Sequence, residues 1–143
     1  MVLYARDIVE KEFLILGAGT TVLDAAKTMK EKRHGFAVVS IPTNSWEGIV
    51  TEWDILAKVV AVGKDPAKVT LGDVMTKGLV TVKSDDGIST VAQVMADRGI
   101  RRVLVTEGSE IIGVITAKTV LARLKDYVDN ISSQISRLQA PWF

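Results

Sequence analysis

Cysteine is missing from this chain, and histidine occurs once, as His34. Without thiols there are no disulfides and no thiolate metal sites, and one imidazole gives no basis for a histidine metal site or a Ser-His pair. The lack of cysteine fits a cytoplasmic protein. No apolar run approaches the ~18 residues of a membrane span. Arg6, Asp7, Glu10 and Lys11 would interrupt the apolar core of a secretory leader. Excess charge is missing too: 18 basic against 17 acidic residues leave a formal net charge of +1. That balance argues against a nucleic-acid partner, because non-specific binding relies on neutralising many phosphates. Catalysis has little support, since no candidate nucleophile has a histidine base nearby and no carboxylate pair stands in an acid-base setting. Gly17-Ala18-Gly19 follows a strand pattern, but the third glycine of a dinucleotide fingerprint does not arrive before the helix, so it reads as a turn. The expectation is a protein that is not an enzyme, with no catalytic or metal-ligating residues.

What the 143 residues do contain is an ordinary globular composition, 48% hydrophobic and 24% charged, enough for one domain or two small ones sharing a core. They also contain an internal repeat. At an offset of 66, Asp7-Ile8-Val9 meets Asp73-Val74-Met75, and Phe13-Leu14-Ile15-Leu16 meets Leu79-Val80-Thr81-Val82. Val22, Ala26 and Met29 meet Ile88, Ala92 and Met95, and Ala37-Val38-Val39 meets Val103-Leu104-Val105. One residue fewer in the next turn shifts the offset to 65, pairing Gly48-Ile49-Val50-Thr51 with Gly113-Val114-Ile115-Thr116. So many apolar coincidences at a near-constant offset mark two related half-modules.

Each half reads strand, helix, strand, strand, helix. Phe13 to Leu16 suits a short buried strand, and Thr21-Val22-Leu23-Asp24 has the form of a capping box before a stripe at Val22, Ala25, Ala26 and Met29. In the second half Asp86 is expected to cap, Ile88, Val91, Ala92 and Met95 form the stripe, and Gly99 ends the helix. Pro42 to Ser45 and Glu107 to Glu110 read as hairpin turns. The helix after Thr51 carries Ile55, Leu56, Val59 and Val60 and stops near Gly63. The division implied is a first repeat over 1–63, a linker over 64–71, a second repeat over 72–125 and a C-terminal helical extension over 126–143. Along the last helix Leu121, Leu124, Val128, Ile131, Ile135 and Leu138 are spaced 3, 4, 3, 4, 3, a heptad seam. It either packs back on its own domain or pairs with a second copy. Pro141 ends it, leaving Trp142 and Phe143 to be covered.

Tandem repeats that each end in Gly-apolar-apolar-Thr-x-x-(Asp) before a helix resemble a pair of CBS (cystathionine-beta-synthase-type) domains, the Bateman module. Asp73-Val74-Met75-Thr76, Val80-Thr81-Val82 and Arg101-Arg102-Val103-Leu104-Val105 also look like that family, and the likeness covers roughly residues 3 to 125. The resemblance implies a mixed α/β (α+β) fold of two pseudo-symmetric repeats with an added C-terminal helix. It implies regulatory binding of adenosyl ligands such as AMP, ADP, ATP or S-adenosylmethionine in clefts between the repeats, with no cofactor required. It also implies a homodimer, and a regulated protein partner not in this chain.

The resemblance gives the motif's threonine and aspartate, here Thr51 and Asp54, to the ribose and phosphate side of a nucleotide. A carboxylate can accept hydrogen bonds from paired ribose hydroxyls. The same two residues also form a capping box worth about 0.5–2 kcal/mol with no ligand, and the two roles can coexist. At the second junction Thr119 stands where the aspartate is expected, so the ribose acceptor is weakened or lost, while Thr116 and Lys118 remain. Arg101 and Arg102 lie where related modules carry phosphate-binding basic residues, and a planar guanidinium fork suits phosphate oxygens. A solvated pair or an ion pair is the alternative. Lys83 is a lesser candidate, and the strand ends at Ile15, Thr81 and Val82 could line an apolar slot for adenine. Trp53 reads more readily as packed on neighbouring protein than stacked on a base, Trp46 as a surface turn residue, and His34 as a partly buried, satisfied side chain. The rival to a ligand sensor is a structural dimerisation scaffold with empty or weak clefts.

Overall fold

The computed structural model describes residues 3–138, so Pro141, Trp142 and Phe143 lie outside the described residues. The chain forms two compact units, Glu12–Val80 and a second that joins the segment up to Lys11 to the chain from Thr81 onward. Sequence repeats and compact units are therefore different divisions of the same chain.

In the first unit β1 (Leu14–Gly17) runs parallel to β2 (Phe36–Ile41) through the helix α2 (Val22–Lys32). β2 then turns back antiparallel into β3 (Asn44–Thr51), with Phe36 opposite Thr51 and Val38 opposite Ile49. α2 begins at Thr21, whose hydroxyl accepts the Asp24 amide at 3.2 Å. It ends at Arg33, which takes the left-handed conformation at φ 57° that Gly99 takes in the other repeat at φ 61°. After β3 come α3 (Glu52–Ile55) and a π-helical turn over Leu56–Val60, in place of the single regular helix expected there. Val22, Ala25, Val39, Val50 and Val59 close a core with Leu71 and Val74 from α4 (Leu71–Val74).

The second unit repeats the pattern. β4 (Thr81–Lys83) is parallel to β5 (Arg102–Glu107), β5 is antiparallel to β6 (Glu110–Thr116), and α5 (Ile88–Arg98) is the crossover. α1 (Ala5–Ile8) buries Ala5 and Ile8. The expected architecture of two strand-helix-strand-strand-helix repeats plus a C-terminal helix is what the structure has. Asp86, however, does not cap α5. Gly87 occupies that position without a side-chain cap, and the Asp86 carboxylate accepts the Lys83 amide at 2.8 Å instead. A short chain reversal after β4 thus takes the acid before the helix can use it.

Each sheet is completed by a short strap that precedes the other repeat in sequence. α4 and the two residues after it reach Thr76, whose amide and carbonyl pair with Ile49 of β3 at 2.9 and 3.0 Å. α1 and the residues after it reach Glu10, which pairs with Val114 of β6 at 2.8 and 3.0 Å. The straps start alike: Leu71 and Gly72 donate to the Thr20 and Ala18 carbonyls, while Ala5 and Arg6 donate to those of Asp86 and Ser84. The repeated glycine of the motif makes this approach possible. A Cβ on Gly113 would lie 2.6 Å from Val9 Cγ2 and inside contact distance of the Glu10 carbonyl oxygen. One on Gly48 would lie 2.8 Å from Met75 Sδ and 2.9 Å from the Thr76 carbonyl oxygen.

α6 (Ala117–Leu138) differs from every other helix in the described chain, because none of its side chains is buried. Leu121, Leu124, Val128, Ile131, Ile135 and Leu138 all stay exposed, so the seam does not become part of the core.

Two outcomes follow from the straps. Gly113→Ala is expected to cost about 1–3 kcal/mol in denaturant unfolding, the range for forcing extra atoms into a packed site. It should exceed Gly48→Ala, where the nearest backbone atom, the Thr76 carbonyl oxygen, stands farther off at 2.9 Å and the Met75 side chain can yield; no loss in either variant would remove the glycine's role. Second, hydrogen bonds from the Thr70 amide and then its hydroxyl hold the Asp73 carboxyl below its ordinary value, with a further contribution from the Lys64 charge. A carboxyl depressed on folding contributes stability that is present above the unfolded pKa, ~3.9, and lost as pH falls through the folded value. Thermal melts of wild type and Asp73→Asn should therefore differ most near neutrality and converge below about pH 4. A constant difference across that range would contradict the cap.

Candidate functional site

Two strand-to-helix junctions carry the polar residues of interest, one in each unit. At the first, β3 stops at Thr51 in extended geometry and α3 begins at once. The Thr51 hydroxyl accepts the Asp54 amide at 3.3 Å, and Asp54 Oδ2 accepts the Thr51 amide at 2.9 Å and its hydroxyl at 3.2 Å. The capping box is thus real. Asp54 Oδ1 turns the other way, 2.9 Å from Lys58 Nζ and 3.4 Å from the Thr76 hydroxyl on the strap. Lys58 Nζ also donates to the Val74 carbonyl at 2.9 Å. A buried carboxylate needs such partners, and at 5% exposure Asp54 is the buried charge of the described core.

This geometry limits what the site can do. Oδ2 is committed to the helix start. Oδ1 is held by one lysine whose side chain is 43% exposed and by one long hydroxyl contact, both of which another donor can replace. Any further donor to Oδ1 would have to take the place of Thr76 Oγ1 or Lys58 Nζ. Ile15, on β1, is 49% exposed in the same unit, and Trp53 is 66% exposed, so it does not pack on its neighbours as expected. Trp46 does pack, with its ring centroid 5.2 Å from that of Phe13. His34 is half-buried and lines an open depression with Lys30, Arg33 and Glu52.

At the second junction β6 ends at Thr116 and α6 begins. The Thr119 amide donates to Thr116 Oγ1 at 3.3 Å, and the two hydroxyls lie 3.1 Å apart. Thr119 Oγ1 donates to Glu10 Oε1 on the N-terminal strap. A hydroxyl has one proton, so the Thr116 hydroxyl is the donor in the pair and a relay runs from Thr116 through Thr119 to Glu10. Arg102 stands opposite Thr116 in the β5–β6 register, as Phe36 stands opposite Thr51. Arg101 is exposed, and its carbonyl accepts the Ala117 amide at 2.8 Å. Lys118, Lys83 and Thr81 are exposed as well. Val82 is buried in the core, and its carbonyl accepts the Thr106 hydroxyl at 3.3 Å, so its side chain faces away from solvent.

The structure therefore brings Thr51 to Asp54, and Thr116 to Thr119 and Arg102, each set within its own unit. Sequence reasoning passed over Glu10, Lys58 and Thr76. The repeat offset held the signal for two of them, because 66 pairs Glu10 with Thr76 directly after the aligned Asp7-Ile8-Val9 and Asp73-Val74-Met75.

Comparison with known proteins agrees with this architecture. The CBS domain family model matches twice, over residues 5–61 and 71–126. An uncharacterized protein of Methanopyrus kandleri is 31% identical over 133 residues, 92% of this chain and 68% of that protein. The hexameric CBS-CP12 protein from bloom-forming cyanobacteria superposes with a TM-score of 0.77 at 36% identity, covering 90% of this chain and 75% of that one. A CBS-domain pair solved in complex with 5-methylthioadenosine and S-adenosylmethionine shares the fold at 24% identity, with a TM-score of 0.74 over 88% of this chain and 98% of that one. Two matched stretches that take in most of the chain, and two half-modules built alike down to their straps, make this protein a member of the CBS-domain family.

Proposed function

We propose that this protein is a regulatory module that binds an adenosyl metabolite, an adenine nucleotide or S-adenosylmethionine, with Thr51 and Asp54 as the principal contacts. The observation that carries the reading is the state of Asp54: a buried carboxylate at a helix start, with one oxygen held by replaceable donors. Paired ribose hydroxyls are donors of the right kind. The half-exposed Ile15 offers apolar surface in the same unit. In the other unit Thr116, Lys118 and Thr119 offer hydroxyls and a cation at the second junction. Arg101, Arg102 and Lys83 supply charge suited to phosphate, and Thr81 with the Val82 backbone supplies a strand end. Binding acts through linkage: a ligand that replaces Lys58 or Thr76 at Asp54 favours one arrangement of the strap, and shifts a partner only by its differential affinity for two states. The partner is a regulated protein or a second copy of the chain, in a cytoplasmic setting.

A dimerisation scaffold is the second reading, and the exposed seam of α6 favours it. Calorimetric titration with AMP, ATP and S-adenosylmethionine separates the two. The sensor reading predicts heat with at least one of them, and an affinity loss of roughly 10–100-fold in Asp54→Ala, the worth of hydrogen bonds to a charged acceptor. Thr119→Ala should lose much less. No heat and no thermal shift with any of the three would leave the scaffold, and equal losses in the two variants would reduce Asp54 to a helix cap.

A further inference from the structure

The two junctions contain the same chemical set in a different order. Residue 54 aligns with 119 at the offset of 65, and residue 76 aligns with 10 at the offset of 66. The first pair is the third residue of each helix, and the second is the strap residue whose backbone pairs with Ile49 or Val114. In the first repeat the helix carries the acid and the strap the hydroxyl, Asp54 to Thr76. In the second the helix carries the hydroxyl and the strap the acid, Thr119 to Glu10. The neighbouring cation also has its counterpart. Lys58 aligns with Arg123, and each donates to a strap-helix carbonyl, Val74 at 2.9 Å and Asp7 at 3.5 Å.

We propose that Glu10 is the positioning carboxylate of the second junction, the counterpart of Asp54 carried on the strap instead of the helix. Each contact then holds one acid and one hydroxyl. Two acids facing each other would repel, and two threonines would leave the junction without a charged acceptor. Because Asp54 caps its own helix, the first junction keeps its acid even when the strap moves. The second junction has its acid only while the N-terminal strap lies over Gly113. Residue 119 alone therefore understates this junction, and Glu10 sets the orientation of the Thr116–Thr119 hydroxyl relay. For ligand specificity the proposal rests on the adenosyl reading: hydroxyls of a ligand at the second junction would find their acceptor on the strap.

The test is an exchange cycle in the full chain with Glu10→Thr, Thr119→Asp and the double variant. Each single change should lower the melting temperature by about 5–10 °C, the scale of a charge-assisted hydrogen bond in a chain of this size. The double variant, which rebuilds the order found at Asp54 and Thr76, should recover most of the loss and restore slow amide exchange at Thr119. Additive losses, or a double variant no better than the worse single, would overturn the proposal. The same proteins are then titrated with AMP and with S-adenosylmethionine in an Asp54→Ala background. Residual binding should fall in Glu10→Thr and return in the double variant, and residual binding indifferent to Glu10 would overturn the specificity role. If wild type binds neither compound, the adenosyl reading fails while the melting cycle still decides the exchange.

Discussion

A backbone cannot lie flat against a neighbouring strand where a side chain stands between them, and this constraint shapes both halves of the protein. β3 and β6 each carry a glycine where a strap crosses, and the strap's amide and carbonyl then complete the sheet edge at Ile49 and Val114. The same approach brings Thr76 and Glu10 to the mouths of the two junctions. An unpaired edge would also expose amides and carbonyls to other chains, and a strap covers it. The motif's glycine is therefore a packing requirement first, and the chemistry of the junction depends on it.

With the strap in place, the capping role of Asp54 and the proposed binding role fall to different oxygens of one carboxylate. One oxygen closes the helix start through Thr51, which fixes the carboxylate; the other is held by Lys58 and Thr76, which leaves it exchangeable. A fixed acceptor with replaceable partners is pre-organised for a ligand. Lys58 also holds the Val74 carbonyl, so under the proposed function a ligand that displaced it would act on the strap. On the proposed reading, occupancy would be coupled to the arrangement of the unit through Asp54, Lys58 and Thr76.

Much of the fold was legible because apolar periodicity repeats. The strands at Phe36 and Val103, the stripes from Val22 and Ile88, the hairpins, and the helix end at Gly99 all follow from local pattern. The straps were not legible as partners. Residues up to Lys11 read as the start of the first repeat, yet they pack with the second, and only tertiary pairing decides that. Asp86 has the form of a cap but serves the turn at Lys83, because two nearby amides compete for one carboxylate. Trp53 looks like a packing residue by type and stands exposed. Thr119 looks like a lost acid, since the carboxylate that meets it comes from a residue 109 positions away. The seam of α6 was plain in its spacing, but spacing alone did not say whether the chain itself would cover it.

Residue-resolved amide hydrogen exchange of the full chain is the most direct measurement of whether the straps close both junctions. The amides of Ile49, Thr76, Glu10 and Val114 should all exchange slowly, close to the protection of β2 and β5, because each is paired across a strap. Strap amides that exchange like open loop while β2 and β5 stay protected would contradict the account.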